Sequence, residues 1–200
     1  MKKPLFFLVC ALVGALVGCS EQPPAPKVEK TPEPVTGQTA LFRMYQVART
    51  WAPDVQVLKM ESILLTDVPQ VRGKAGAWQA TFTSADKNMA RSYTYSVAEE
   101  QGNLHQGVFA GAQESWSGAS GKPFVMSTVK IDSDAAYKTA RAKAGDYEKT
   151  SPTKVISFSL ERQDKFPDPA WRVIWGESAG TSGLSILVDA STGEYLQTLH

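Results

Sequence analysis

The chain has 200 residues, 42% of them hydrophobic, with 21 basic and 20 acidic side chains and a net charge of +1. That length suffices for one sizeable core. The balanced charge argues against a nucleic-acid partner, which would require a strongly basic face.

Met1-Lys2-Lys3 opens the chain and an apolar run from Leu5 to Val17 follows. A positive start, about a dozen apolar residues and small residues at the exit define a secretory signal over residues 1–18. The run is shorter than the ~20 apolar residues a membrane-spanning helix needs. Leu16-Val17-Gly18-Cys19 ends it. This stretch resembles the lipobox of bacterial lipoproteins, which implies that Cys19 carries fatty acyl chains and becomes the first mature residue. Cys10 lies within the signal. The expected mature chain therefore has no thiol for a disulfide, a metal or a nucleophile, and its fold depends on its core. Removing Lys2 and Lys3 from the 21 basic residues leaves 19 against 20 acidic ones, a net charge of −1. Residues 19–38 hold the lipidated cysteine and a proline-rich tether, too poor in large apolar side chains to build a core. At ~3.1 Å per residue it can reach roughly 60 Å from a membrane. The lipobox resemblance also implies sorting: Ser20, where retained lipoproteins carry Asp, directs such proteins to the outer membrane, facing the periplasm.

Beyond the tether, two segments share one design. AWQATF (77–82) alternates Trp78, Ala80 and Phe82 with Gln79 and Thr81; AWRVIW (170–175) alternates Trp171, Val173 and Trp175 with Arg172 and Ile174. Both read as half-buried strands. Near the same offset, Tyr93, Tyr95 and Val97 correspond to Leu184, Ile186 and Val188, Gly102 to Gly193, and Tyr45, Ala48 and Ala52 to Tyr137, Ala140 and Ala144. The upstream segments have helical spacing: Leu41, Met44, Ala48 and Ala52 before Pro53, and Ala136, Ala140 and Ala144 between Asp132 or Ser133 and Gly145. The expected fold class is α+β, with two repeats, each one helix followed by an antiparallel β-meander. Residues 39–110 form the first repeat, 111–123 a Gly/Ser-rich linker and 124–200 the second repeat. Strands are expected near 55–63, 77–83, 91–98 and 103–109, then near 154–160, 170–176, 183–189 and 194–199, the two repeats packing into one body.

VKIDSDAAYKTA, AWRVIW and SILVDASTGEYL in the second half together resemble the PepSY-like domains of bacterial envelope proteins and protease propeptides. The matching residues are Ile131-Asp132, Ala136, Ala140, Trp171, Val188-Asp189-Ala190 and Gly193; the first half lacks the hairpin Asp. The resemblance implies a non-catalytic module that inhibits a peptidase or binds other envelope proteins.

Sharper chemistry finds little support. The histidines are His105 and His200, and no G-x-S-x-G elbow occurs. No metal site or cofactor is expected. Asp189-Ala190-Ser191-Thr192-Gly193 reads as a hairpin turn, not as the contiguous Asp-Thr-Gly of an aspartic protease. Trp78, Trp171 and Trp175 read as core. Trp116, in Ser-Trp-Ser-Gly, is either a plug between the halves or a contact for a partner. Ser92, Thr94 and Ser96 mark a polar sheet face, and a partner could use such a face or an edge strand that accepts an extended peptide. The expected function is a membrane-anchored envelope lipoprotein acting as a protein-binding module, not an enzyme. The alternatives are an assembly lipoprotein of an outer-membrane complex and an envelope enzyme of unrecognised type.

Overall fold

A computed structural model describes residues 31–100, 104–151 and 154–200, which fall within one compact unit, Thr31–His200. The expected signal segment, Cys19 and most of the expected tether lie outside the described residues. In chain order the elements are β1 (Val35–Thr36), α1 (Gly37–Trp51), β2 (Gln56–Ile63), β3 (Lys74–Ala75), β4 (Ala77–Ser84), β5 (Met89–Ser96) and β6 (Gly107–Ser115). Then follow α2 (Ser133–Lys143), α3 (Tyr147–Thr150), β7 (Ile156–Glu161), β8 (Ala170–Trp175), β9 (Ser185–Asp189) and β10 (Tyr195–Leu199).

The expected fold class is overturned. The described chain is mostly β, with one eight-stranded antiparallel sheet in the order β10-β9-β8-β7-β2-β4-β5-β6 and a small β1–β3 sheet. It is not a pair of helix-plus-meander repeats. β2 shows why: it pairs with β4 along one edge and with β7 along the other, Lys59 opposite Glu161 and Glu61 opposite Ser159. Both edges of β2 are thus consumed and the halves share a single ladder. Alternation reveals where strands fall, but it cannot reveal a pairing across about a hundred residues.

Other boundaries also shift. The expected tether extends to Gln38, yet Val35–Thr36 pair with Lys74–Ala75, and Gly37 and Gln38 begin α1. The last strand of the first half is expected near 103–109, but β6 continues to Ser115. Pairing with β5 carries it on, Met89 opposite Ser115 and Arg91 opposite Gln113, past Gly111, where a β-carbon would lie 3.2 Å from the Ser92 carbonyl oxygen. Gly111 marks a bulge opposite Arg91–Tyr93, not the start of a linker.

α1 and α2 cover the same face of the sheet. Ala40, Leu41, Met44 and Ala48 from α1, and Ala136, Tyr137 and Ala140 from α2, join Trp78, Phe82, Phe158, Trp171 and Trp175 in one continuous core. Trp78 and Trp171 meet edge to face at its centre, 6.2 Å between ring centroids. Each indole N–H finds a backbone acceptor: Trp78 donates to Val35 O at 3.1 Å and Trp171 to Ile131 O at 2.8 Å. The helix starts also meet. Asp132 Oδ1 accepts from Ser133 N at 2.7 Å, capping α2, and from Gln38 N at 2.8 Å in the first turn of α1. Ser133 Oγ accepts from Gly37 N and donates to Gly73 O.

Candidate functional site

With both helices on one side, the opposite face of the sheet is built from the alternate residues of each strand. Register places Thr94, Gln79, Glu61, Ser159 and Arg172 side by side across five strands, and Ser92, Thr81, Lys59 and Glu161 in the neighbouring row. The face is therefore polar at its centre. Gln79, Lys59 and Glu61 are exposed, and Thr94, Ser159 and Arg172 half-buried.

Two cavities lie along the β2–β7 seam of this face. One, of about 320 Å³, has Lys59, Thr81 and Glu161 in its lining, with Ser120 and Gly121 from the loop after β6 as a wall. The other, of about 160 Å³, has Glu61 and Ser159 in its lining, walled by Glu177 and Ser178 from the loop after β8. Lys59 and Glu61 are two residues apart on one strand, about 7 Å along it, so the cavities have neighbouring rows of the same seam in their linings; the two together are called the trough below. Its charges are open to solvent: Lys59 Nζ lies 3.9 Å from Glu61 Oε1 with both side chains 53% exposed. Arg172 is half-buried and hydrogen-bonded, its Nε donating to Ser185 Oγ at 2.9 Å. Mixed charges, hydroxyls and amides here can hydrogen-bond a polypeptide inserted between the two loops.

The residues singled out in the sequence distribute as follows. Cys19 lies outside the described residues. Trp116 is half-buried immediately after β6; its backbone N–H donates to Asn88 O at 3.0 Å and its indole N–H to Ser120 O at 3.2 Å. It thereby folds the loop that walls the larger cavity. Ser92 and Thr94 stand on the open face, Ser92 Oγ 3.1 Å from Thr81 Oγ1, whereas Ser96 is buried and donates to Ala98 O. His105 Nδ1 lies 2.8 Å from Glu99 Oε1, with its ring tilted over Phe109 at 5.0 Å.

Asp189 closes the β9–β10 hairpin. Its Oδ1 accepts from Ser191 N, Thr192 N and Ser191 Oγ at 2.7–2.9 Å, and Gly193 supplies the positive φ of 82°. Burial alone pushes the Asp189 carboxyl up, but the donors of Ser191 and Thr192 outweigh it and hold it below the usual carboxylate range. Among the described residues no group of three His, Cys, Asp or Glu side chains is placed to hold a metal ion, and no helix is long and apolar enough to cross a membrane.

Sequence reasoning missed the trough residues Lys59, Glu61, Ser159 and Glu161. Each reads as an ordinary polar position of an alternating strand, and only the β2–β7 pairing assembles them.

No protein-family model matches the chain, and no curated protein matches it. Among solved structures, a protein from Clostridium difficile 630, described provisionally as a lipoprotein, superposes over 80% of this chain and 91% of its own, with a TM-score of 0.50 and 9% sequence identity. At that identity the likeness is one of fold.

Proposed function

We propose that this chain is a lipid-anchored envelope protein that acts by binding, holding a segment of another envelope protein in the trough on the helix-free face of its sheet. The observation that carries the reading is the asymmetry of that sheet. Both helices cover one face, and the other stays polar and open along the β2–β7 seam between two walling loops. The lipobox-like Leu16-Val17-Gly18-Cys19 supports the anchor, as does the provisional description of the structurally similar protein as a lipoprotein. Ser20 favours the outer membrane, facing the periplasm. The resemblance of residues 124–199 to PepSY-like domains favours a peptidase as partner, with inhibition as the consequence. Trp116 contributes by shaping the wall of the larger cavity, where a partner would touch it.

A photo-crosslinking residue placed at Gln79 or Ser159 tests this in cells, with Lys138 on the exposed side of α2 as control and Cys19→Ala to release the anchor. One partner captured from the two sheet positions and not from Lys138 supports the reading. If that partner is a peptidase, its activity is assayed with and without the protein. Components of an outer-membrane assembly, captured only with Cys19 intact, would make the protein an assembly factor instead. Equal capture from all positions, or none, would sink the binding role.

A further inference from the structure

Among the described residues β10 and β6 are the two outer strands of the eight-stranded sheet, and they differ. β10 is only five residues long and is attended by lysines: Lys165 Nζ donates to Gln197 Oε1 at 2.8 Å, and Lys143 Nζ lies 5.4 Å from the centre of the Tyr195 ring. Short edge strands guarded by lysine discourage further strands from adding. β6 has nine residues, GVFAGAQES, without lysine, arginine or proline. Phe109, in its first half, is 50% exposed. Its bulge is held from within the sheet, Arg91 Nε donating to Gly111 O at 2.8 Å.

Charge distinguishes this edge as well. Between Val97 and Ser115 the chain carries Glu99, Glu100 and Glu114 and no basic residue other than His105. The Gln106 backbone N–H, followed by His105, holds the Glu99 carboxyl below the usual carboxylate range, so it is anionic at neutral pH. Glu114 is exposed at the far end of β6, where it also lines the larger cavity with Lys59 and Lys122.

We propose that β6 is a docking edge for an extended polypeptide segment rich in lysine or arginine, which adds to the sheet as a ninth strand. Main-chain hydrogen bonds along an unpaired edge supply affinity, and the carboxylates select the charge of the incoming strand. A second copy of this chain is the poorer occupant, because self-pairing brings the same carboxylates together. The inference does not rest on the trough, whose two cavities have neither Glu99 nor Glu100 in their linings.

Two labelled peptides as long as β6, one alternating threonine with lysine and one threonine with glutamate, test it against the full mature chain. The lysine peptide is expected to slow amide hydrogen exchange within 107–115. Its binding, read by fluorescence anisotropy, is expected to fall about tenfold in the double variant Glu99→Lys/Glu100→Lys, which leaves the trough lining untouched, and at ~1 M salt, where screening acts within about 3 Å. Equal protection by both peptides, protection confined to other strands, or protection of β6 by dimerisation without peptide would each overturn the proposal. Crosslinking from Gln79 and Ser159 is read separately, so failure at the edge leaves the trough reading intact.

Discussion

Trp171 and Trp175 share one strand and are both fully buried, yet their indole nitrogens fare differently. Trp171 donates to Ile131 O, whereas Trp175 Nε1 has no hydrogen-bond partner among the described residues. Replacing either by Phe removes similar volume, but only Trp171→Phe also takes away a made hydrogen bond. We expect Trp171→Phe to cost more than Trp175→Phe by about 1–2 kcal/mol in urea unfolding; equal costs would show that the Ile131 contact contributes nothing. Gly37→Ala is a second core test. A β-carbon there would lie 2.5 Å from the far ring edge of Trp171 and 3.2 Å from that of Trp78. Overpacking by one methyl should cost about 1–3 kcal/mol, and a stability unchanged by the substitution would mean the two rings can shift. Tyr137 gives a pH test. Burial, then the Glu148 carboxylate that accepts its hydroxyl at 2.7 Å, push its pKa up to about 12. The folded state holds this proton more tightly than the unfolded chain, which releases it near pH 10. Stability is therefore unaffected below that pH and declines as pH rises from about 10 towards 12. Tyr137→Phe should flatten this part of the profile in alkaline urea titrations, and an unaltered slope would remove Tyr137 as its cause.

At the scale of elements, the junction of the two helices is the most exacting feature. Asp132 caps α2 and also accepts from the first turn of α1, which has no acidic residue of its own there. A single cap is worth about 1 kcal/mol, so Asp132→Ala should cost about 2 kcal/mol, with Asp132→Asn intermediate; thermal unfolding of the three proteins decides whether the double role is real. The start of α2 and the end of α1 were legible: Asp132 before an alanine ladder is a cap by composition, and Pro53 stops the first helix one residue beyond Ala52, whereas the start of α1 at Gly37 read as tether. The tryptophan strands were legible too, since aromatic residues at every second position have few other uses. β6 was legible only in its first residues, because Gly111, Ser115 and the Ser-Gly run beyond them carry the composition of a linker, and only the pairing with β5 shows a bulge there. The trough was not legible, since Lys59 and Glu161 meet through a register that local pattern does not encode. That Asp132 would reach across to Gln38 is likewise invisible in a pattern read along the chain.

For the molecule as a whole, the β2–β7 pairing joins the halves by only three residue pairs, Lys59–Glu61 with Ser159–Glu161. The core beneath is nevertheless continuous, Trp78 of one half lying against Trp171 and Phe158 of the other. Burial therefore couples what the ladder joins narrowly. Tryptophan fluorescence and far-ultraviolet circular dichroism should report one coincident urea transition; two separated transitions would show that the halves unfold independently. The shared cap bears on the order in which this chain can acquire its structure. A polypeptide delivered amino terminus first, from a ribosome or through a translocation pore, presents Gly37 and Gln38 long before Asp132 and Ser133 exist to receive their amides. The outer edge of β2 waits longer still, until Ser159–Glu161 emerge. The leading half thus travels with an unfinished helix start, an open strand and an uncovered Trp78, and it depends on its trailing half, or on a holding factor in the meantime, to stay out of aggregates.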